Sequence, residues 1–130
     1  KLFRSMEKKY LGLKDISAYN IAFDLSNDVW EIVVSWDYFA KNTVGMQWVR
    51  SVDSMSANIA EGFGRYTKKD KIKFYRYCFG SLKESQDWLE KANIRKFISE
   101  DQYKYIEGKL SGLPREMNHL IKYTNEKLEI

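Results

Sequence analysis

Apolar side chains recur three and four positions apart along most of the chain, which is the spacing of one face of an α-helix. Four such segments are predicted, at about residues 15–39, 43–63, 67–93 and 99–128. No segment alternates with the period of a strand. The pattern therefore predicts an all-α fold, an up-down-up-down four-helix bundle that occupies residues 1–130 as a single domain. The most regular apolar positions are those of the fourth segment: Tyr103, Ile106, Leu110, Leu113, Met117, Leu120 and Thr124.

Residues typical of helix ends stand between these segments. Side chains that can cap an N-terminus are Asp15 before the first segment, Thr67 with Asp70 before the third, and Ser99 with Gln102 before the fourth. The second segment begins near Thr43 and runs into Gly62 and Gly64, where a left-handed glycine is expected to end the helix.

Pro114 lies inside the fourth segment, although the apolar spacing continues through it. Proline lacks the N–H that would bond to the carbonyl of Leu110, and its ring crowds the preceding turn. We therefore expect one kinked helix here and not two separate helices.

The composition is typical of a protein that folds without disulfide bonds or structural metal ions. Apolar residues make up 44% of the 130 residues and charged residues 31%. Cys78 is the only cysteine, so no intrachain disulfide can form, and a cytoplasmic location is expected. No apolar run approaches the roughly 20 residues of a membrane span, and the first residues are too charged for a signal peptide. Apolar residues on more than one helix face, together with 15% aromatic residues, predict a homo-oligomer.

The positive charge of the protein is concentrated in one segment. The formal net charge is +4, whereas residues 65–76 alone hold six basic residues against Asp70, a local net charge of +5. Such a segment can bind nucleic acid or an acidic partner, or it can be the solvated start of a helix. The six basic residues are Arg65, Lys68, Lys69, Lys71, Lys73 and Arg76.

No set of residues in the sequence resembles a catalytic or metal-binding site. Glu116 and His119 form one E-x-x-H pair, but a di-iron bundle needs two such pairs, and His119 is the only histidine. A nucleophilic Ser or Cys would need that same histidine as its base, and Cys78 lies on an apolar helix face. The "GFG" turn lacks the Lys and Ser/Thr of a phosphate-binding loop. We expect no enzyme activity, no cofactor, no metal and no small-molecule substrate.

A polar stripe next to the apolar face of the second segment ends at Asn58 and Glu61. Glu61 is expected to pair with Arg50, Arg65 or a lysine of a neighbouring helix, and Asn58 to bond to backbone groups at the corner. Acid–base catalysis would need a second acid close by, for which Glu84 is the one candidate by position. Structural pairing is the favoured interpretation.

The stretches "QWVRSVDSMSANIAEGFGR" and "FYRYCFGSLKESQDWLEKA" resemble the four-helix-bundle family of 23S rRNA intervening-sequence proteins. The resemblance covers the second and third segments, and the outer two only by their pattern. It implies a structural role for Asn58, Glu61, Gly62, Gly80, Ser81 and Glu84. The other positions that match the family pattern are Gln47, Arg50, Ser54, Ile59, Ala60, Arg65 and Leu82.

The resemblance also implies assembly into a homo-oligomeric ring, typically a pentamer. A related bundle serves as an accessory protein in diversity-generating retroelements, where a basic ring engages RNA and a reverse transcriptase. We therefore predict a non-enzymatic oligomer that binds RNA or other nucleic acid through the basic segment, with Tyr66 and Tyr77 able to stack on bases and Tyr75 better suited to the core. The alternative is a protein-interaction scaffold, such as an accessory subunit, with no direct nucleic-acid role.

Overall fold

The computed structural model describes residues 11–129, and every regular element within them is a helix. A 3₁₀ turn, Leu13–Asp15, precedes helix α1, Ser17–Val34. Helix α2 consists of one α-helical turn, Tyr38–Ala40, a π-helical segment, Lys41–Gly45, and a longer α-helix, Met46–Phe63. Helix α3 spans Lys68–Ile94 and helix α4 spans Glu100–Lys127. The predicted all-helical bundle is confirmed.

Each helix packs mainly on two neighbours, in the cyclic order α1, α2, α3, α4, with the most extensive contact between α2 and α3. The connections, residues 35–37, 64–67 and 95–99, are short enough to require antiparallel neighbours. At one end of the bundle, Nζ of Lys68 at the start of α3 donates to the carbonyl of Asn125 near the end of α4, at 3.0 Å. A cavity of about 110 Å³ at the same end is lined by Ile16, just before α1, and by residues of the other three helices, among them Phe63, Tyr75 and Thr124.

The core is a continuous apolar cluster with a few buried hydroxyl groups. Ser51 on α2 donates to the carbonyl of Trp48, and Ser85 on α3 donates to the Ser51 hydroxyl at 3.0 Å, so these buried polar atoms are satisfied. The largest fully buried side chains are Trp48, Tyr75, Leu25, Met55, Ile59, Leu82, Leu89, Ile106, Leu110, Leu113, Met117 and Val29.

The first helix is shorter than predicted at both ends. Asp15 is not its N-cap: the Asp15 carboxylate accepts from the N–H of Gly12 inside the 3₁₀ turn, at 2.8 Å, and Ile16 precedes the helix. The helix ends at Val34 and not at residue 39. Trp36, in the following connection, stays packed on the core through Trp48 and Phe97, with ring centroids 6.0 and 5.1 Å away.

The second helix begins five residues earlier than predicted, at Tyr38 instead of Thr43. Asp37 is its N-cap, because the Asp37 carboxylate accepts from the N–H of Ala40 at 3.0 Å. Thr43 lies inside the helix and its hydroxyl donates to the carbonyl of Phe39 at 2.8 Å. Gly45 closes the π-helical segment, and a Cβ there would lie 2.7 Å from Val33, so the close contact with α1 requires glycine.

The third and fourth helices begin as the capping residues predict. Thr67 accepts from the N–H of Asp70, and Ser99 and Gln102 form a reciprocal capping box at the start of α4. Both helices match their predicted limits within one residue. Helix α4 continues through Pro114 as one element, and the bend expected there stays a prediction.

The prediction that left-handed glycines end α2 is wrong. None of the glycines within residues 11–129 has a positive φ, and Gly64 follows α2 at φ −80°. Gly62 is instead needed for close packing, because a Cβ there would lie 2.6 Å from the Tyr75 ring and 2.9 Å from the carbonyl oxygen of Lys71. The residue with a positive φ is Lys96, at 64°, just after α3.

Replacing Gly62 by alanine should destabilise the bundle by about 1–3 kcal/mol, because an added methyl group in a fully packed contact forces the helices apart. The replacement Gly64→Ala is the matched control, since its Cβ would lie 3.6 Å or more from its neighbours. Urea unfolding followed by circular dichroism measures both. Equal stability of the two variants would contradict the close-packing explanation.

Candidate nucleic-acid interface

The corner between α2 and α3 is held by a chain of contacts through Arg65. Its guanidinium pairs with Oε2 of Glu61 at 2.6 Å and lies 4.5 Å from the centroid of the Phe74 ring. The predicted pairing of Glu61 with Arg65 is therefore observed. An exposed ion pair contributes little stability alone, but the ring below it fixes where the guanidinium lies.

The other residues of the family motif are distributed over the two helices. The amide of Asn58 donates to the carbonyl of Ser54 one turn earlier, at 2.9 Å, and not to backbone groups at the corner as expected. Glu84 accepts from the indole N–H of Trp88 at 3.4 Å. Gly80 is exposed and Ser81 is half-buried. Glu61 and Glu84 therefore have different partners, Arg65 and Trp88.

Two of the six predicted phosphate-binding residues are instead bound to the ends of other helices. Nζ of Lys71 donates to the carbonyl of Phe63, the last residue of α2, at 2.7 Å. Nζ of Lys68 binds a carbonyl in the last turn of α4. Carbonyl groups at a helix C-terminus lack partners within the helix and attract cations. Burial lowers the pKa of the Lys71 ammonium, in keeping with its partly enclosed position beside the Phe63 ring, 5.5 Å away.

Three of the four remaining basic residues form one exposed surface. Lys69, Lys73 and Arg76 are spaced four and three apart on α3, so they project from the same side of the helix, away from the core. Within the described part of the chain, neither Lys69 nor Arg76 forms an ion pair, and Lys73 lies 5.9 Å from the Phe74 centroid. We call Lys69, Lys73 and Arg76 the basic face.

Exposed aromatic side chains border the basic face. Tyr66 is 79% exposed and Tyr77 48% exposed. The Tyr77 ring meets Phe74 edge-on, with centroids 5.3 Å apart and an interplanar angle of 82°. Tyr75 is buried, as expected for a core residue, and burial raises the pKa of its hydroxyl to about 12.

The groups considered for catalysis are placed as follows. Cys78 is fully buried between the helices, and burial raises the pKa of its thiol to about 12. Glu116 and His119 line a shallow groove with Asp15 on the opposite side. Among residues 11–129, nowhere do three His, Cys, Asp or Glu side chains come close enough to hold a metal ion.

The sequence did not reveal an apolar groove between α1 and the start of α2. Trp30, Val34 and Met46 line it and are 53%, 42% and 41% exposed. The groove has a volume of about 280 Å³, and Lys41 and Arg50 stand among its lining residues. One signal in the sequence could have indicated the groove: Trp30 and Val34 each follow a core valine by one residue, so they project away from the core. In the part of the chain that the structure describes, none of the helices combines the length and the hydropathy needed to cross a bilayer.

Comparison with known families gives one match that spans most of the chain. The model of the 23S rRNA-intervening sequence protein family matches residues 14–119, which include α1, α2, α3 and most of α4. The chain belongs to this family. The intervening-sequence bundle is also similar to the crystal structure of a protein of unknown function from the S23 ribosomal protein family of Bacteroides thetaiotaomicron VPI-5482. That likeness has a TM-score of 0.72 at 20% sequence identity and covers 81% of this chain and 98% of the other. It shows a shared fold. A comparison with curated protein sequences finds no match.

The buried thiol makes the stability of this intervening-sequence protein sensitive to alkaline pH. The unfolded chain loses the Cys78 proton near pH 9.0, whereas the folded chain holds it to about 12. Between these values the folded state binds more protons, so stability falls as pH rises. We expect a loss of about 1–2 kcal/mol from this group by pH 10.5. Urea unfolding at several pH values should show a shallower loss in Cys78→Ala, and an identical slope in the two proteins would contradict the assignment.

Proposed function

We propose that the protein is a non-enzymatic subunit of a homo-oligomer that binds RNA or another nucleic acid through the basic face of α3. The observation that carries this proposal is the exposure of Lys69, Lys73 and Arg76 on one side of a helix, without a carboxylate partner within residues 11–129. Three cations that are not neutralised within the subunit attract phosphates, and they do so without regard to base sequence.

The side chains of Lys68, Lys71 and Arg65 are held by contacts within the subunit and are not part of the basic face. The two lysines bind helix ends, and Arg65 is held by Glu61 and Phe74. Their positive charge still adds to the local potential, because charges within a Debye length of roughly 8–10 Å act on the same ligand. The direct phosphate contacts, however, are assigned to the basic face alone.

Assembly into a ring would bring several basic faces together. The apolar groove of α1 and α2 supports this part of the proposal, because a cluster that exposes Trp30, Val34 and Met46 is typical of an interaction surface. We propose that a second copy of the chain covers it and, from the resemblance described above, that five copies form the ring. Each added subunit repeats the same cations and makes phosphate binding multivalent.

The proposal contains no catalytic step, cofactor or metal. Cys78 is held neutral in the core, which is unsuited to a nucleophile. A cytoplasmic location is proposed because a free cysteine is the expected state in a reducing compartment.

Reversing the basic face with Lys69→Glu, Lys73→Glu and Arg76→Glu together should weaken RNA binding by at least about tenfold at physiological salt. The slope of log K against log salt should also fall by about two, because about 0.7 counterions are released for each phosphate contact on a single strand. Fluorescence anisotropy of a labelled structured RNA across a salt series measures both values.

The matched control reverses three exposed cations outside both the basic face and the apolar groove, Arg95, Arg115 and Lys122. It makes the same change in net charge and should leave much more of the affinity intact. Lys68 and Lys71 are left unchanged, since their replacement would disturb helix ends. Equal losses in the two triple variants would show that net charge alone, and not this face, governs binding.

The double replacement Trp30→Glu and Met46→Glu should dissociate the oligomer, because two carboxylates cannot be buried in an apolar contact without partners. Size-exclusion chromatography with light scattering gives the mass before and after the change. Ile94→Glu is the control, since Ile94 is an exposed apolar residue of α3 outside the groove. A wild-type monomer, or an unchanged oligomer in the double variant, would contradict the role given to the groove.

The second candidate function is a protein-interaction scaffold, such as an accessory subunit. The same groove favours it, because its apolar floor and the nearby Lys41 and Arg50 suit an acidic, apolar segment of another protein. A monomeric wild-type protein that fails to bind RNA at low salt would favour the scaffold over the nucleic-acid proposal.

A further inference from the structure

Tyr77 is an exposed aromatic residue that packs against a second ring beside the basic face. Its ring meets Phe74 edge-on at 5.3 Å, and the Phe74 ring lies under the Arg65 guanidinium at 4.5 Å. Arg65 is in turn bound to Glu61 at 2.6 Å. A ring that is already ordered loses little conformational entropy when a ligand stacks on it.

The turn after Tyr77 leaves the ring uncovered. Side chains on a helix lean toward the N-terminus, so the residues three and four positions later lie over a given side chain. At Tyr77 these are Gly80 and Ser81, and a Cβ built at Gly80 meets no atom within 4 Å. Glycine is among the least favourable residues for a helix interior, and no packing within the described chain requires it here. It leaves open space on the helical turn that follows an exposed aromatic ring.

The basic face lies next to this open ring around α3. Lys73 is four residues before Tyr77 and lies on the same side of the helix, whereas Arg76, the preceding residue, projects about 100° around the axis from it. From Lys69 to Arg76 the helix rises roughly 10 Å, so this surface can contact only a few nucleotides. An aromatic platform with cations beside it is the arrangement that binds single strands, whereas the bases of a duplex are already stacked on one another.

We propose that Tyr77 is a stacking platform for an unpaired base of a single-stranded nucleic acid, with Gly80 leaving room for the base and the basic face binding the flanking phosphates. This inference rests on the proposed nucleic-acid function and narrows its ligand to unpaired segments. Stacking is possible with every base, so binding tolerates changes of sequence. The surface favours neither ribose nor deoxyribose.

The test compares a fluorescein-labelled 12-nucleotide single-stranded RNA with the duplex of the same sequence, by anisotropy with the whole 130-residue chain. Wild type should bind the single strand more tightly. Tyr77→Ala should weaken single-strand binding by at least about fivefold and change duplex binding by less than about twofold. Tyr77→Phe should retain wild-type affinity, because the ring and not the hydroxyl carries the stacking. The DNA strand of the same sequence should show the same dependence on Tyr77.

Two matched controls separate stacking from general effects on the fold. Tyr105→Ala removes a tyrosine that is 52% exposed on α4, and it should leave binding unchanged. Gly80→Leu should cover the ring and weaken single-strand binding, whereas Gly108→Leu, at an α4 glycine that is equally open, should not. The glycine pair decides the question if Tyr77→Ala proves unstable, since leucine favours helix formation at both positions.

The outcomes distinguish this inference from the function on which it rests. Salt-sensitive binding that is equal for single strand and duplex, and unaffected by Tyr77→Ala and Gly80→Leu, would overturn the platform and leave the basic face in place. Absence of binding to either nucleic acid at low salt would overturn both.

Discussion

The arrangement of the candidate interface depends on how closely α2 approaches α3 at the corner that joins them. Gly62 has no side chain, so the Tyr75 ring lies directly against the backbone of α2. At this separation Lys71 reaches the carbonyl of Phe63, and Arg65 reaches the Phe74 ring. A wider corner would lose these two contacts together, whereas the Glu61–Arg65 ion pair is local to the end of α2. One steric constraint in the core thus sets the end of one helix, the start of the next and the orientation of the aromatic residues outside.

The net charge of residues 65–76 does not show which of their side chains bind helix ends and which remain exposed to solvent. The five basic residues from Lys68 to Arg76 span about two and a half turns of α3, so their side chains project in different directions around it. Lys71 stands four positions before Tyr75, on the buried side, and its ammonium turns to an unpaired helix carbonyl. Lys69, Lys73 and Arg76 project into solvent. The total charge of the segment is fixed by its sequence, but its division into helix-end contacts and a solvent face is fixed by the helical period and by neighbouring helices.

Local signals predicted the bundle well where capping chemistry and apolar spacing agreed. Thr67, Ser99 and Gln102 marked the starts of α3 and α4 because a cap is formed by residues close in sequence. The start of α2 was missed because Asp37 lies within an apolar run that continues the spacing of α1. The steric requirement for glycine at position 62 could not be predicted, because it arises from the Tyr75 ring on another helix. The candidate site was predicted only as a set of basic residues. The groove at Trp30 was not predicted, because it depends on which faces of two helices remain uncovered.

The π-helical segment at Lys41–Gly45 has a consequence for how the chain can vary in length. A π-helical turn contains one residue more than the α-helical turn it replaces, because its hydrogen bonds close over five residues and not four. Loss of one residue there would restore a regular α-helical turn, and the residues on both sides would keep their positions around the helix axis, because the wider turn accommodates the extra residue. A single deletion at this place would therefore leave Tyr38 and Phe39 exposed and Trp48 buried, whereas a deletion inside Met46–Phe63 would turn one part of that helix by about 100° relative to the core.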